Sequence, residues 1–129
     1  KTKVRNRYFN YLIPIYKDMD GAQFTSLKQR KGKGIWQNLW EFPLLESKEI
    51  LEIDDITIRY KEALGDMESV ELLEYNDNAI VHKLSHQHLH TKFWIVNTEN
   101  DFDGKISIKK LTEFPVPVLI ADFIKAFKF

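Results

Sequence analysis

The chain opens with an apolar run rich in Tyr, Phe, Leu and Ile over residues 7–16, which predicts a strand. Asp18-Met19-Asp20-Gly21 is a turn signal, and residues 23–29 are expected to return as the second strand of a hairpin. Two glycines in Lys31-Gly32-Lys33-Gly34 free the backbone for an irregular loop. Residues 40–45 form a short apolar strand or loop, with Pro43 arguing against a central ladder position. Asp54-Asp55 can cap a helix over residues 56–64, and Gly65 stops it. Strands are expected at 70–75, 79–84 and 89–98, the last containing Phe93-Trp94-Ile95-Val96. A turn at Asp101–Gly104 precedes a strand at 106–109. Pro117 then opens a helix to Phe127, with Val118, Leu119, Ile120, Phe123, Ile124 and Phe127 on a broad apolar face. The sum is a mixed sheet with two helices, an α+β domain spanning residues 1–129.

With 129 residues, 43% of them hydrophobic, the chain can bury a core of its own. No apolar run approaches the ~18 residues of a membrane span, so no membrane partner is expected. Lys1-Thr2-Lys3-Val4-Arg5 has no apolar segment of a signal peptide and reads as the end of an interdomain linker. The absence of cysteine removes disulfides, thiolate chemistry and Cys-ligated metals from this segment, and fits a cytoplasmic protein.

The net charge of zero conceals an asymmetry. Residues 1–33 hold nine Lys/Arg against two carboxylates, whereas residues 41–78 hold three against twelve. The basic third can supply phosphate contacts, with Arg30, Lys31 and Lys33 as candidates, or can simply be neutralised in space by the acidic segment. That acidic middle is also a candidate protein-interaction surface.

A strand, a Gly-rich loop, Trp40-Glu41-Phe42-Pro43 and a helix ending in Gly65 resemble the order found around the Nudix helix. Nudix hydrolases carry the box G-x5-E-x7-R-E-U-x-E-E-x-G-U, with U a bulky aliphatic residue. Its paired glutamates hold a divalent cation that polarises a pyrophosphate and activates water. When the closing glycine is set on Gly65, the metal-binding pair falls on Glu62 and Ala63, and the Arg-Glu pair on Ile58 and Arg59. Only Glu62 survives, beside a guanidinium that repels Mg²⁺. No metal site and no pyrophosphohydrolase activity are expected, although an active nucleoside-pyrophosphate hydrolase is the competing enzymatic reading.

The blocks RYFNYLI, Gln29-Arg30, GIWQNLWEFPL, VHKLSH and FPVP, in this order, resemble the Nudix-like C-terminal domain of MutY-type adenine DNA glycosylases. The resemblance implies a lesion-recognition module in base excision repair. It would read 8-oxoguanine opposite adenine in double-stranded DNA, in the cytoplasm of a bacterium. The N-terminal catalytic domain of the same enzyme would supply the catalytic carboxylates and an iron–sulfur cluster; this segment would have no catalytic residue and no cofactor. The positions carried over are Leu84, Ser85 and His86, matching the segment that enters DNA in the family. Many members have an aromatic residue where Leu84 stands; leucine can still wedge against a duplex but stacks less well.

The chemistry suits the role. Guanine offers a bare N7 acceptor, whereas 8-oxoguanine has an N7–H donor and an O8 acceptor. The Ser85 hydroxyl can accept from the one or donate to the other, and His86 can orient that hydroxyl or meet a phosphate. Without the resemblance these residues read as a plain turn. Trp36, Trp40 and Phe42 read as core or interdomain packing before base stacking, and Glu41 as a structural acceptor. The four histidines, His82, His86, His88 and His90, lie within nine residues. On one strand the last three would share a face compatible with zinc or copper, a face that a loop at Ser85-His86 would break.

Overall fold

The computed structural model describes residues 3–129. Lys1 and Thr2 of the expected linker end lie outside the described residues, and β1 begins at Arg5. Strand β1 (Arg5–Lys17) lies parallel to β8 (Gln87–Thr98), in register from Arg5 opposite Gln87 to Tyr16 opposite Thr98. On the other flank of β1 sit β5 (Leu44–Ser47) and then β2 (Gln23–Thr25), and β2 is followed by β9 (Ile106–Ser107). Beyond β8 come β7 (Ile80–Lys83) at its beginning and β6 (Val70–Glu74) at its end, both antiparallel to it. Pro14 falls in the gap between the β5 and β2 ladders, where no backbone donor is needed.

The two central strands are buried on both faces, so their apolar residues run almost continuously instead of alternating with polar ones. Phe9, Tyr11, Ile13, Leu89, Phe93 and Ile95 pack on one side against Phe42, Leu111 and helix α3 (Val118–Ala126). Leu12, Trp94 and Val96 pack on the other against Leu51 and Met67 and against Ile56 of helix α1 (Ile53–Arg59). The mixed sheet with flanking helices establishes the α+β class.

Several local expectations change. The segment 23–29 is not one strand: after β2, Leu27 turns into the core and β3 (Lys28–Gln29) pairs with β4 (Trp40–Glu41) in a separate two-stranded ribbon. Helix α1 starts three residues early. Glu52 takes the N-cap place, and the Asp55 carboxylate accepts its backbone N–H at 2.8 Å, so Asp54 and Asp55 occupy the first turn. The helix is interrupted at Tyr60, continues as α2 (Lys61–Leu64) and ends at Gly65, whose φ of 72° suits glycine. The strand expected at 106–109 keeps two residues, after which Ile108–Glu113 winds as a 3-10 helix that buries Leu111. Among the described residues no helix is long and apolar enough to cross a membrane.

Candidate nucleic-acid interface

Strands β7 and β8 form a hairpin whose tip is Leu84-Ser85-His86. The Leu84 N–H donates to the Gln87 carbonyl at 2.8 Å, closing a tight turn with Ser85 and His86 exposed at its apex. The backbone of the tip is tied to the sheet, since the Arg5 N–H donates to the His86 carbonyl at 2.9 Å. Leu84 points back and packs half-buried against the core. It serves as a foot for the turn, and Ser85 and His86 are the side chains that reach outward. Neither of them has an internal side-chain hydrogen bond among the described residues, so His86 does not orient the Ser85 hydroxyl here.

The Gly-rich loop is seated beside this hairpin. Its ends are clamped by Arg30 N–H to Leu39 O and Asn38 N–H to Arg30 O, both 2.8 Å. Trp36 lies in the left-handed region at φ 56°, a conformation that costs about 1 kcal/mol or more without a glycine. It is held there by an edge-to-face contact with Phe9 at 6.3 Å and by the His82 ring at 5.9 Å. Lys33 is exposed, and Lys31 reaches only the Gln29 side-chain oxygen at 2.6 Å. The loop therefore sits at the same end of the sheet as the Ser85-His86 tip.

Arg30 has a different task from its two neighbours. Its Nη1 donates to both Glu41 oxygens, at 2.9 and 3.2 Å, and its Nε to the Ile35 carbonyl at 3.2 Å. The Tyr11 hydroxyl donates to Glu41 Oε1 at 2.7 Å. Burial pushes the Glu41 carboxyl above the ordinary carboxylate range, in spite of the Tyr11 and Arg30 bonds that pull it down. Burial, followed by the charge of Glu41, pushes the Tyr11 phenol well above its usual value. Arg30 is thus first an internal strut that fixes the loop to the sheet, with Lys31 and Lys33 left to face solvent.

The aromatic trio packs within the chain. Phe42 meets Phe123 edge to face at 5.6 Å, Trp40 meets Phe114 at 5.1 Å, and Trp36 lies on Phe9. The four histidines do not converge. Residues directly opposite on antiparallel strands share a face, so His82, opposite Leu89, faces the core side. His88 and His90 face the other side, and His86 is in the turn. His90 is stacked on Tyr8 at 4.8 Å and paired with the Asn6 side-chain oxygen at 2.9 Å. Among the described residues, no group of three or more His, Asp or Glu side chains is placed to hold a metal ion.

The segment matching the Nudix helix behaves as its residues require. Arg59 Nε donates to Glu62 Oε2 at 2.9 Å, and this bond lowers the Glu62 pKa. The one surviving glutamate is engaged by Arg59, the cation that stands at the glutamate position of the box's Arg-Glu pair, while Ala63 stands where its metal-binding partner would be. A cleft of about 540 Å³ opens toward the other end of β1, with Asp66, Glu68, Asp101, Asp103 and Lys28 on its walls. Of these, Asp101 is held by Lys105 at 2.7 Å.

The structure places Leu84, Ser85 and His86 in the turn between two strands; sequence reasoning missed one anchor of the loop and one of that turn. Tyr11 as the third member of the Glu41–Arg30 cluster, and Arg5 as the backbone anchor of His86, join positions far apart in sequence. The one local signal was the polar hydroxyl of Tyr11 in the apolar middle of β1, where Asn10 beside it is polar as well.

The sequence matches the family described as NUDIX domain over residues 18–126. No curated protein matches the chain. Among solved structures, it is similar to the C-terminal domain of mouse MUTYH, crystallised in complex with human PCNA. That likeness has a TM-score of 0.66 at 16% identity, covering 94% of this chain and 86% of that one. It is similar to RenU, a Nudix hydrolase from M. smegmatis, with a TM-score of 0.62 at 10% identity, covering 97% and 84%. A mutT/nudix family protein from Listeria innocua gives 0.58 at 14% identity, covering 97% and 92%. At these identities the likeness is one of fold.

Proposed function

This chain belongs to the NUDIX domain family, and from that premise we propose that it is a non-catalytic DNA-reading module. In this reading it is the lesion-recognition domain of a bacterial, cytoplasmic MutY-type adenine glycosylase. The observation that carries the proposal is the Leu84–His86 turn: two exposed polar side chains on a rigid hairpin, beside a loop carrying Lys31 and Lys33. Rigid elements place polar groups accurately, and accurate placement is what base discrimination demands. The likeness to the mouse MUTYH domain favours this reading over that of a free-standing enzyme.

Ser85 would meet N7–H or O8 of 8-oxoguanine, and His86 a neighbouring base edge or phosphate. Leaving one buried polar group unpaired on the wrong base costs about 1–3 kcal/mol, which supports roughly ten- to hundred-fold selectivity. Adenine would leave the stack and enter a separate catalytic domain with its own iron–sulfur cluster. This module would hold the opposite strand and raise the effective concentration of the duplex.

The reading that competes is a nucleoside-pyrophosphate hydrolase, favoured by the likeness to RenU. The Arg59–Glu62 pair speaks against it, because it engages Glu62, the one carboxylate at the two positions where the Nudix box holds its metal ion.

The test is binding of the 129-residue chain to duplexes containing 8-oxoguanine:adenine or guanine:adenine at low salt, with and without Ser85→Ala. A preference for the oxidised duplex that Ser85→Ala abolishes is expected. Equal affinity for both duplexes in the parent would refute the lesion-reading role. Mg²⁺-dependent release of phosphate or pyrophosphate from nucleoside triphosphates would establish the hydrolase instead.

A further inference from the structure

The Ser85-His86 turn has two flanks, and only one faces the Gly-rich loop. On β7 and β8, Lys83 stands directly opposite His88, and Val81 directly opposite His90. Side chains of such antiparallel pairs emerge on the same face, whereas the intervening pair, His82 and Leu89, emerges on the other. The first face therefore carries Lys83 and His88 immediately behind the tip. The second leads, through His82 and Trp36, to the loop with Lys31 and Lys33. Arg5, in register with Gln87, shares that second face with Arg7, whose guanidinium lies 4.9 Å from the Phe9 ring.

The electrostatics at this end of the sheet leave several cations without partners. Glu46 is engaged by Arg7 at 2.7 Å and Glu41 by Arg30 at 2.9 Å, while Glu74 is taken by Lys92. Among the described residues Arg5, Lys33 and Lys83 have no carboxylate within ion-pair distance. Lys83 is exposed and His88 half-exposed. Burial gives Lys83 no structural role, and no acid neutralises it.

We infer that Lys83 and His88 form a second phosphate-contact site on the flank of the hairpin away from the Gly-rich loop, so that the tip enters DNA with a phosphate contact on each flank. A hairpin that enters a groove tip first turns its two faces toward the two walls of phosphates. Cations on both faces centre the tip, whereas cations on one face would pull it aside. The Lys83 ammonium makes the charged contact, and an imidazole N–H of His88 donates to the same or the adjacent phosphate. This inference rests on the proposed entry of the tip into DNA. It concerns phosphates and not the base, which lets the two be separated.

The experiment measures affinity of the chain for 8-oxoguanine:adenine and guanine:adenine duplexes by fluorescence anisotropy across 50–200 mM salt. Each lost phosphate contact lowers the slope of log affinity against log salt by about 0.9. Lys83→Ala is therefore expected to weaken both duplexes by the same factor and to make the loss across that range about threefold smaller. Lys83→Arg should restore the parental slope, His88→Ala should weaken both duplexes, and Lys17→Ala, at the far end of β1, should change neither. A parental slope in Lys83→Ala would overturn the second site and leave the role of the tip standing. So would a loss confined to the oxidised duplex, because that is base readout. A lowered slope in Lys83→Ala, with Ser85→Ala leaving selectivity intact, would keep the phosphate site and refute lesion reading by Ser85. No binding by the parent at 50 mM salt would overturn both.

Discussion

Replacing Glu41 by alanine is the sharpest test of how the candidate interface is held. The Glu41 side chain is 9% exposed and accepts from the fully buried Tyr11 hydroxyl and twice from Arg30. Truncation leaves the Tyr11 donor without a partner inside the core, a loss of about 1–3 kcal/mol. It also strips Arg30 of its counter-charge. Breaking a fully buried pair costs about 3–5 kcal/mol, but Arg30 is 20% exposed and keeps its bond to Ile35 O, so water recovers part of that. The two effects overlap, and the expected total is about 3 kcal/mol. With a urea m-value near 2 kcal/mol/M, the unfolding midpoint should fall by about 1.5 M at unchanged m.

Glu41→Gln discriminates between acceptor and charge. Burial drives the Glu41 carboxyl upward more strongly than its partners pull it down, so desolvation offsets part of what the charge gains from Arg30. Glutamine keeps an acceptor for Tyr11 and should cost about half as much as alanine or less. Midpoints from circular dichroism and tryptophan fluorescence must coincide for the comparison to hold. A loss under about 1 kcal/mol in Glu41→Ala would refute the strut. Equal losses in alanine and glutamine would show that the charge, not the acceptor, is what matters.

Two further outcomes follow from neighbouring groups. The Arg7 hydrogen bond holds the Glu46 carboxyl below its ordinary value. Its stabilisation is present above the usual carboxylate range and is lost as the pH falls through that lowered value. Arg7→Gln should therefore flatten the acid limb of a stability–pH profile. Glu41, raised instead, gains in relative stability toward acid, so Glu41→Gln should not flatten that limb; the opposite pattern would refute both assignments. Asn10 is 2% exposed, accepts from the Trp94 indole N–H at 3.2 Å and donates to Leu45 O at 3.0 Å. Asn10→Ala leaves the buried Trp94 indole N–H without a partner and should cost about 1–3 kcal/mol with a change in tryptophan emission; a loss under about 1 kcal/mol would mean that water replaces the amide.

Legibility differed between elements for identifiable reasons. The strands at 70–74 and 80–83 and the helix stop at Gly65 were readable because each depends on residues within one or two turns of chain. The helix start was misplaced because Asp54 and Asp55 are as suitable in a first turn as at a cap, and Glu52 is an uncommon N-cap residue. The strand expected at 23–29 broke because Leu27 is worth more in the core than Ser26-Leu27 is worth in a ladder. The turn at Ser85-His86 was located by its flanking strands. The inward direction of Leu84 was not, since that depends on the core it packs against.

The sequence by itself determined the chemistry that is present and missing. It holds no thiol, it has one glutamate where a metal site needs two, and it carries a Ser-His dipeptide between two strand-forming runs. Those are matters of residue identity and short spacing. The tertiary structure decided which groups meet. Parallel pairing of β1 with β8 ties Arg5 to the backbone of His86 and buries both faces of the two strands. It converts Arg30 from a free cation into the partner of Glu41 and Tyr11, and sends His82 to one side of the sheet while His88 and His90 take the other. A strand alternates its side chains in the same way whatever lies beside it. Only the partner and the register assign each face to core, neighbour or solvent.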